Sequence, residues 1–250
     1  MSELITVTDD GPVRIVRMNR PDKKNALTMD MYEAMAAAIE DAPKNAALRC
    51  LMIAGAPTVF CAGNDIGDFL KAAGAGGALG APILRFLHTL ARNELPLVAA
   101  VQGNAIGVGT TMLLHCDHVV ASSEARFSTP FVALGLVPEA ASSLLAPRLL
   151  GHARAFELLV MGKPLNAAEA KAAGLINTVV APDALEAAAL AAARVIAALP
   201  PQAVQASRRL MHSTPDEIGK RIDDEAEEFK ARLQSSEAQA AFMAFMSRKK

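Results

Sequence analysis

Several features that mark common protein classes are missing from this sequence or are scarce in it. It contains neither G-x-S-x-G nor H-E-x-x-H, so no motif supports a serine hydrolase or a zinc protease. Its three cysteines form no C-x-x-C pair. An odd and scattered set of this kind favours a reducing compartment, in which Cys50, Cys61 and Cys116 act as small core residues.

An excess of charge of either sign is also missing. The chain has 25 basic and 26 acidic side chains, which gives a formal net charge of −1. A nucleic-acid-binding protein normally carries a basic face, so we expect no nucleic acid as partner, although a local pocket for a small anion is compatible with this balance. Residues 1–10 have no apolar signal core and no arginine-rich character. We therefore expect a cytoplasmic protein.

One uncharged stretch, residues 95–116, has the length of a membrane-spanning helix when His115 is neutral. It is interrupted by Pro96 and by glycine, glutamine, asparagine and threonine residues, through which an apolar helix does not run smoothly. The pattern favours a buried strand, a glycine turn and a buried helix. We expect no membrane span.

Hydrophobic residues make up 52% of the chain and charged residues 20%, which supports a sizeable core. The first half reads as strand–helix units, and after Pro138 the strand signals nearly stop. We expect a core domain over residues 1–199 and a helical region over residues 200–250. Strands are predicted at 5–8, 13–18, 50–54, 97–101, 118–121 and 125–128, and helices at 28–41, 110–115, 140–149, 154–161, 167–173, 184–198, 223–229 and 240–246.

Two glycine-containing turns follow apolar strands, at residues 60–66 and 102–109. Such turns leave backbone N–H groups free to point outward, and two of them aimed at one oxygen would form an oxyanion hole. A glycine pair taken alone is explained as well by close packing of the backbone against another element. The spacing therefore marks candidate sites without identifying a reaction.

A set of short motifs occurs in an order that resembles the crotonase superfamily of enoyl-CoA hydratases and isomerases. The set comprises Asn19-Arg20-Pro21 with Asn25-Ala26-Leu27, residues 60–66 and 103–109, Cys116-Asp117, Pro130 with Gly135-Leu136-Val137-Pro138, and Gly174-Leu175 with Val179-Val180. The resemblance implies an α/β fold, a crotonase-like spiral of ββα units with a helical C-terminal trimerisation region. It also implies an acyl-CoA or enoyl-CoA substrate, no separate cofactor, and a homotrimer or a dimer of trimers.

The resemblance assigns roles to particular residues. It implies that the backbone N–H groups of Asn64 and Val108 form an oxyanion hole for the thioester carbonyl. The CoA moiety is expected to contact Ala26 and the segment made of Ala62, Gly63, Asn64, Asp65 and Ile66. Val108 replaces the glycine usual in hydratases, which preserves the backbone donor and narrows the pocket.

The departures from the family pattern change the expected reaction. Where hydratases of the family have two glutamates, this chain has Thr111 and Phe131, neither of which is a carboxylate base. Glu139 instead follows Pro138, as the catalytic glutamate does in the peroxisomal-type Δ3-Δ2-enoyl-CoA isomerases that this segment resembles. Apolar neighbours are expected to raise the pKa of the Glu139 carboxyl by desolvation.

Other interpretations of these residues stay open at this point. Glu139 at a helix N-terminus would be stabilised by the helix dipole without any catalytic role. The chain would also fit a hydratase with relocated acids, an acyl-CoA hydrolase with Glu139 as nucleophile, or a non-catalytic acyl-CoA-binding protein. The leading hypothesis is an isomerase that carries a proton from C2 to C4 on Glu139.

Two further constellations have weaker support. Residues 115–118 place histidine, cysteine, aspartate and histidine together, but neighbours on a strand alternate faces and no partner cluster exists, so we expect no metal. The segment from Gly107 to Met112 lacks the third glycine of a dinucleotide-binding loop. Cys61 has no histidine near it in sequence, so a small buried thiol is the better interpretation than a nucleophile.

Overall fold

A computed structural model describes residues 4–65, 67 and 79–247 of the chain, and Ile66 lies outside them. The strands are β1 (Ile5–Asp10), β2 (Val13–Met18), β3 (Cys50–Ala54), β4 (Leu97–Val101), β5 (Asn104–Ile106), β6 (His118–Ser122), β7 (Arg126–Ser128), β8 (Leu165–Asn166) and β9 (Thr178–Val180). The α-helices are α1 (Met29–Asp41), α2 (Ala81–Arg92), α3 (Val108–Thr111), α4 (Ser142–Leu150), α5 (His152–Leu159), α6 (Ala167–Ala173), α7 (Leu185–Ala197), α8 (Pro201–Met211), α9 (Pro215–Leu233) and α10 (Ser236–Ser247).

Two sheets organise the core. The larger has the order β1-β2-β3-β4-β6-β9, in which β1 and β2 are antiparallel and all later neighbours are parallel. The smaller has the order β5-β7-β8. Strands β4 and β6 in the large sheet are each followed by a strand of the small one, β5 and β7, which pair in parallel. This alternation agrees with the spiral of strand–strand–helix units that the resemblance implies.

Both faces of the large sheet are buried, because strand residues alternate between two hydrophobic clusters. Val98 and Ala100 of β4 pack in the cluster that contains α7, whereas Ala99 and Val101 pack in the larger cluster that contains α1 and α2. Each fully buried valine or leucine side chain of this kind stabilises the fold by roughly 1.5–3 kcal/mol. A sheet covered on both sides explains why its parallel strands read as continuous apolar runs.

The strand and helix predictions for the first half of the chain are largely confirmed. β1 and β2 form the expected hairpin, and β3, β4 and β6 lie where the apolar runs predicted them. The hydroxyl of Thr28 accepts the Met31 N–H at 3.3 Å, so Thr28 caps α1 as one of the two candidates. The 95–116 stretch folds as β4, β5, α3 and a 3₁₀ turn (Met112–His115), in agreement with its interpretation as strand, turn and helix.

The second half of the chain differs from the predicted secondary structure in several places. The helix predicted at 140–149 begins only at Ser142, because Ala140 and Ala141 are left-handed, with φ of 62° and 54°. The helix predicted at 223–229 runs the full length of α9, and the segments after Pro138 include the short strands β8 and β9. Strands of two and three residues are too short to produce a periodic pattern.

The C-terminal helices α8, α9 and α10 agree with the predicted helical region. The domain division at residue 199 and the trimerisation role stay predictions. Among the described residues no single helix is long and apolar enough to cross a membrane; only the pair Pro182–Ala197 and Pro201–Met211, bent by 104°, meets that test when taken together.

Candidate active site

The two glycine turns are joined by a short parallel bridge. Cys61 donates its N–H to the Asn104 carbonyl at 3.0 Å and accepts the Ile106 N–H at 2.9 Å. Gly109 then lies so close that a Cβ on it would stand 2.8 Å from the Cβ of Cys61. Only glycine fits there. The close packing that also explains this glycine therefore brings the two turns together.

The amide of Asn64 points away from its neighbouring chain segment. Leu27 donates its N–H to the Gly63 carbonyl at 2.8 Å and accepts the Asp65 N–H at 2.9 Å. In this parallel pattern the N–H of Asn64 is directed to the opposite side. It has no hydrogen-bond acceptor among the described residues.

The N–H group of Val108 is also left without an acceptor, because of the conformation of Gly107. Gly107 has φ 57° and ψ −121°, which favours glycine, and its own N–H is bound to the Ser128 carbonyl at 2.8 Å. Val108 is the first residue of α3, where a helix leaves its N–H groups without intrahelical acceptors. Within the described part of the chain, its N–H has no acceptor.

Ala26 lies beside the first turn, as the sequence motifs suggested. Ala62 donates its N–H to the Lys24 carbonyl at 3.0 Å, and Arg20 binds both the Ala26 carbonyl at 2.9 Å and the Asp65 carboxylate at 2.7 Å. The structure therefore brings Ala26 together with the segment from Ala62 to Asp65. Ile66, the last expected member, is outside the described residues.

Asn25 explains why this segment is well positioned. Its side-chain amide donates to the carbonyls of Val59 and Phe60 at 2.9 and 3.0 Å, and its oxygen accepts the Arg20 N–H at 2.8 Å. Asn25 is fully buried, so these bonds also satisfy an otherwise costly polar group. One asparagine thus ties the Asn19–Leu27 motif to the first glycine turn.

Glu139 is a buried carboxyl with one short hydrogen bond. It is 2% exposed, and its Oε1 accepts the hydroxyl of Thr111 at 2.5 Å. Burial raises its pKa to about 8, against the lowering effect of the Thr111 bond and with a further increase from the charge of Glu225. The expectation of a raised pKa is therefore supported by the geometry around the carboxyl.

The position of Glu139 differs from that of an idle residue at a helix terminus. Helix α4 begins three residues later, at Ser142, and the Glu139 side chain binds Thr111 rather than the helix amides. The first turn of α4 is instead bound by Glu225, whose Oε1 accepts the Ser143 N–H at 2.9 Å. A carboxylate does stabilise this helix terminus, but it comes from α9.

The surroundings of the two turns are apolar. Phe131 is 7% exposed, and a Cβ on Gly107 would lie 3.8 Å from the Phe131 ring. Thr111 and Val108 are buried as well. A carboxyl placed among such groups is poorly hydrated, so its ionised form takes a proton from a weak carbon acid more readily than an exposed carboxylate does.

Two residues near the site, Tyr32 and Glu225, are not predicted by the sequence, which marks His115 only as a possible metal ligand. Tyr32, the only tyrosine of the chain, donates its hydroxyl to the Asn64 side-chain oxygen at 2.5 Å. Burial raises the pKa of the Tyr32 hydroxyl, and the nearby charge of Glu139 raises it further. His115 has Nε2 2.8 Å from the Ala140 carbonyl, and Glu225 has been described above. A hydroxyl on the apolar face of α1 was the one available signal.

The weaker alternatives for Cys61 and residues 115–118 lose support. Burial raises the pKa of Cys61 to about 12, so its thiol is protonated and unreactive near neutral pH. Asp117 accepts the Leu97 N–H and is paired with Arg208 and His212. Within the ranges that the structure describes, no group of three histidine, cysteine, aspartate or glutamate side chains is arranged to hold a metal ion.

Comparisons with known proteins point to one family. A model of the enoyl-CoA hydratase/isomerase family matches residues 9–250. Enoyl-CoA delta isomerase 2 of Rattus norvegicus is 36% identical over 99% of this chain, and the chain spans only 64% of that relative's length. A probable enoyl-CoA hydratase of Rhizobium meliloti (strain 1021) is 31% identical over 99% of this chain and 96% of its own length.

A solved structure shows the same architecture. The enoyl-CoA hydratase/isomerase from Pseudoalteromonas atlantica T6c superposes with a TM-score of 0.92 and 39% identity, covering 98% of each chain. The matched family model spans nearly the whole sequence, and the fold is shared along the same length. The chain belongs to the enoyl-CoA hydratase/isomerase family, the crotonase family.

Proposed function

We propose that this protein is an acyl-CoA enzyme that stabilises a thioester enolate, and specifically a Δ3-Δ2-enoyl-CoA isomerase with Glu139 as its proton carrier. The observation that carries the proposal is the buried Glu139 carboxyl, bonded only to Thr111 among the described side chains. Thr111 and Phe131 occupy the positions of the two hydratase glutamates, which leaves Glu139 as the available base.

In this proposal the thioester carbonyl oxygen accepts hydrogen bonds from the N–H groups of Asn64 and Val108. Both amides lack an acceptor among the described residues, and the bridge between Cys61 and the 104–106 strand holds their turns together. Donors fixed in advance stabilise the negative charge that develops on this oxygen, and loss of one typically costs about 2.7–4 kcal/mol.

The proton transfer needs a single base. The Glu139 carboxylate removes a proton from C2 of a 3-enoyl-CoA, and the electron pair of that bond moves into the thioester to form a dienolate. Glu139 then returns the proton to C4, the C2–C3 double bond forms, and the carbonyl is restored. No water is consumed, so the apolar wall that contains Phe131 is compatible with the reaction.

Hydration requires more than this site offers. Adding water across a 2-enoyl-CoA needs a group that deprotonates the water and one that protonates C2. The Thr111 hydroxyl is already bonded to Glu139, and Phe131 provides no proton acceptor. The relatives carry both hydratase and isomerase names, so the reaction is argued from this chain's own residues.

The remaining expectations belong to the same proposal. The CoA moiety binds along Ala26 and the segment Ala62, Gly63, Asn64 and Asp65, with Ile66 as a further predicted contact. CoA enters as part of the substrate, and no separate cofactor takes part. We also propose a homotrimer or a dimer of trimers and a cytoplasmic location.

The direct test is to incubate the purified protein with a 3-enoyl-CoA and to follow the conjugated 2-enoyl product by its ultraviolet absorbance. We expect conjugation with little hydration of the 2-enoyl-CoA. Hydration without conjugation would identify a hydratase, release of free CoA would identify a hydrolase, and tight binding without turnover would identify a non-catalytic protein. Each of these results contradicts the isomerase proposal.

The Glu139→Gln variant tests the role of the base. Because glutamine retains the size of the side chain but accepts no proton, isomerisation should fall by roughly 10²- to 10⁴-fold. The Kd of the CoA thioester should change by less than about threefold, because the variant side chain keeps its size. Such a change is below 1 kcal/mol of binding free energy. Turnover near that of the wild type would remove Glu139 from the mechanism.

A further inference from the structure

The loop that carries Glu139 is held at both ends by the C-terminal helices. At one end, a Cβ on Gly135 would stand 2.7 Å from the backbone of Ala238 in α10, so the two segments are in direct contact. At the other end, Ser143 donates its N–H to the Glu225 carboxylate of α9. The C-terminal helices therefore contact the candidate site within the same chain.

This loop has a conformation that must be held by its surroundings. Ala140 and Ala141 are both left-handed, which is uncommon for residues other than glycine and rarer for two in succession. The ring of His115 binds the Ala140 carbonyl at 2.8 Å, and Ser142 donates its N–H to the Glu139 carbonyl at 3.1 Å. Such backbone strain persists where packing and hydrogen bonds over-determine it.

Glu225 provides what the loop itself does not. Ala141 occupies the N-cap position of α4 and has no side chain that accepts a hydrogen bond. The Glu225 carboxylate, 7% exposed, binds the Ser143 N–H in the first helical turn instead. A negative charge at this terminus also interacts favourably with the helix dipole.

We propose that Glu225 is a positioning residue for Glu139. Its carboxylate holds the first turn of α4, which fixes the Ala140–Ala141 pair and directs the Glu139 carboxyl toward Thr111. In addition to this geometric role, the charge of Glu225 raises the pKa of Glu139. This inference rests on the proposed role of Glu139 in isomerisation.

The charged groups around Glu225 are accounted for in the packed elements. On α9, Arg221 donates to the Ser143 hydroxyl at 3.2 Å and is the nearby cation; burial raises the pKa of Glu225 to about 7. His115, on the other side of the loop, is neutral because burial lowers its pKa to about 4. Several other charges of the packed helices form ion pairs of their own: Arg148 with Glu217, His88 with Asp223, Arg85 with Glu33 and Glu40, Lys220 with Asp224, and Arg232 with Glu237. Asp216, Glu227, Glu228 and Lys230 are the further charged residues of α9.

Two variants separate the charge of Glu225 from its hydrogen bond. Glu225→Gln keeps an oxygen for the Ser143 amide and removes the charge, whereas Glu225→Ala removes both. The matched control is Glu217→Gln, because Glu217 also links α9 to α4, through Arg148, but at the surface. We expect Glu225→Ala to lower kcat by about tenfold or more with KM within about twofold, and the control to leave both unchanged.

The decisive measurement is the pKa of Glu139 itself. Protein labelled with ¹³C at the glutamate carboxyl carbons is titrated by NMR, and the Glu139 signal is identified by its absence in Glu139→Gln. In Glu225→Gln this pKa should fall by roughly half to one unit, because a neighbouring negative charge is removed. Loosened packing would lower the pKa as well, by hydrating the Glu139 carboxyl, so the free energy of unfolding of this variant is measured beside it and should not fall. The Glu217→Gln control should leave the signal unshifted.

An unchanged Glu139 pKa in Glu225→Gln would overturn the inference, whatever the activities of the variants. Failure of Glu225→Ala to fold does not affect this test, since the glutamine variant retains the amide contact. If the wild type does not isomerise 3-enoyl-CoA, the proposed function fails, while the NMR titration still decides whether Glu225 governs the Glu139 carboxyl.

Discussion

The hydroxyl of Thr111 donates a 2.5 Å hydrogen bond to Oε1 of Glu139, and both side chains are buried. The family resemblance aligns Thr111 with a glutamate of the hydratases, and Glu139 approaches Thr111 from the loop that precedes α4. The contact places the buried Glu139 carboxyl beside α3, the helix that begins at Val108. Four predictions follow from this arrangement and from the turns around it.

The rate of isomerisation should depend on the ionisation of Glu139. Burial raises its pKa to about 8, and only the carboxylate accepts the C2 proton. Below that pKa, kcat/KM should increase by about tenfold per pH unit, and above it the rate should level off. Initial rates across overlapping buffers measure the profile. A rate that is constant from about pH 6 to pH 9 would contradict a base with this raised pKa.

Replacing Thr111 by valine should shift that profile to higher pH. The Thr111 hydrogen bond lowers the pKa of Glu139, so its removal raises the pKa and moves the rising part of the profile upward. Thr129→Val is the matched control, because the Thr129 hydroxyl is also buried but donates to the Leu158 carbonyl at 2.6 Å. The control should lose stability without moving the profile; equal shifts in both variants would argue against a direct bond effect.

The Glu139→Gln variant should gain stability relative to the wild type as pH rises. The folded-state pKa of Glu139, about 8, is above its ordinary value of 4.5, so the folded protein retains a proton that the unfolded chain releases. Wild-type stability from this group therefore falls between pH 4.5 and about 8, and glutamine removes that loss. The difference in Tm, measured by calorimetry, should widen over this range and then become constant.

The surface glutamate Glu217 provides the contrast for this measurement. Its hydrogen bond with Arg148 lowers its pKa, so its ionised form favours the folded state. Glu217→Gln should therefore change stability little or reduce it slightly near neutral pH. A Tm difference for Glu139→Gln that stays constant with pH would show that Glu139 ionises normally in the folded protein.

Adding a methyl group at Gly109 should separate the two turns. A Cβ there would meet the Cβ and carbonyl oxygen of Cys61 at 2.8 and 2.9 Å, and neither atom belongs to a flexible chain end. Gly109→Ala should lower kcat by roughly 10²-fold or more, in line with the loss of an oxyanion donor, together with stability. Gly219→Ala in α9 is the control, since its Cβ would make ordinary 3.5 Å contact with His88.

The control variant should keep wild-type activity and gain slightly in stability, because alanine favours a helix interior over glycine by about 1 kcal/mol. Activity and unfolding by denaturant are compared for both glycine variants. Full activity in Gly109→Ala would show that the spacing between the two turns does not control catalysis.

Much of the fold was readable in the sequence for a clear physical reason. β3, β4 and β6 are buried on both faces, so their apolar runs are continuous and their ends are marked by polar or glycine residues. Thr28 caps α1 through a local hydrogen bond three residues away. Such signals depend on neighbours along the chain, and they survive without knowledge of the tertiary contacts.

The start of α4 was misplaced for the opposite reason. Alanine has a high helix propensity, so Ala140 and Ala141 were assigned to the helix. In the structure both are left-handed, where His115 and Ser142 provide the hydrogen bonds that hold the loop. The His115 contact comes from 25 residues earlier in the chain, and no local pattern encodes it.

The candidate site shows the same division. The motif order identified the family, and the residue types at Thr111, Phe131 and Glu139 pointed away from hydration, because a missing carboxylate is visible in any sequence. The partners of Glu139 were not visible. Glu139 becomes buried, bonds to Thr111 and feels the charge of Glu225 only when α3, the loop after Phe131 and α9 pack together. Burial and charge act through space rather than along the chain.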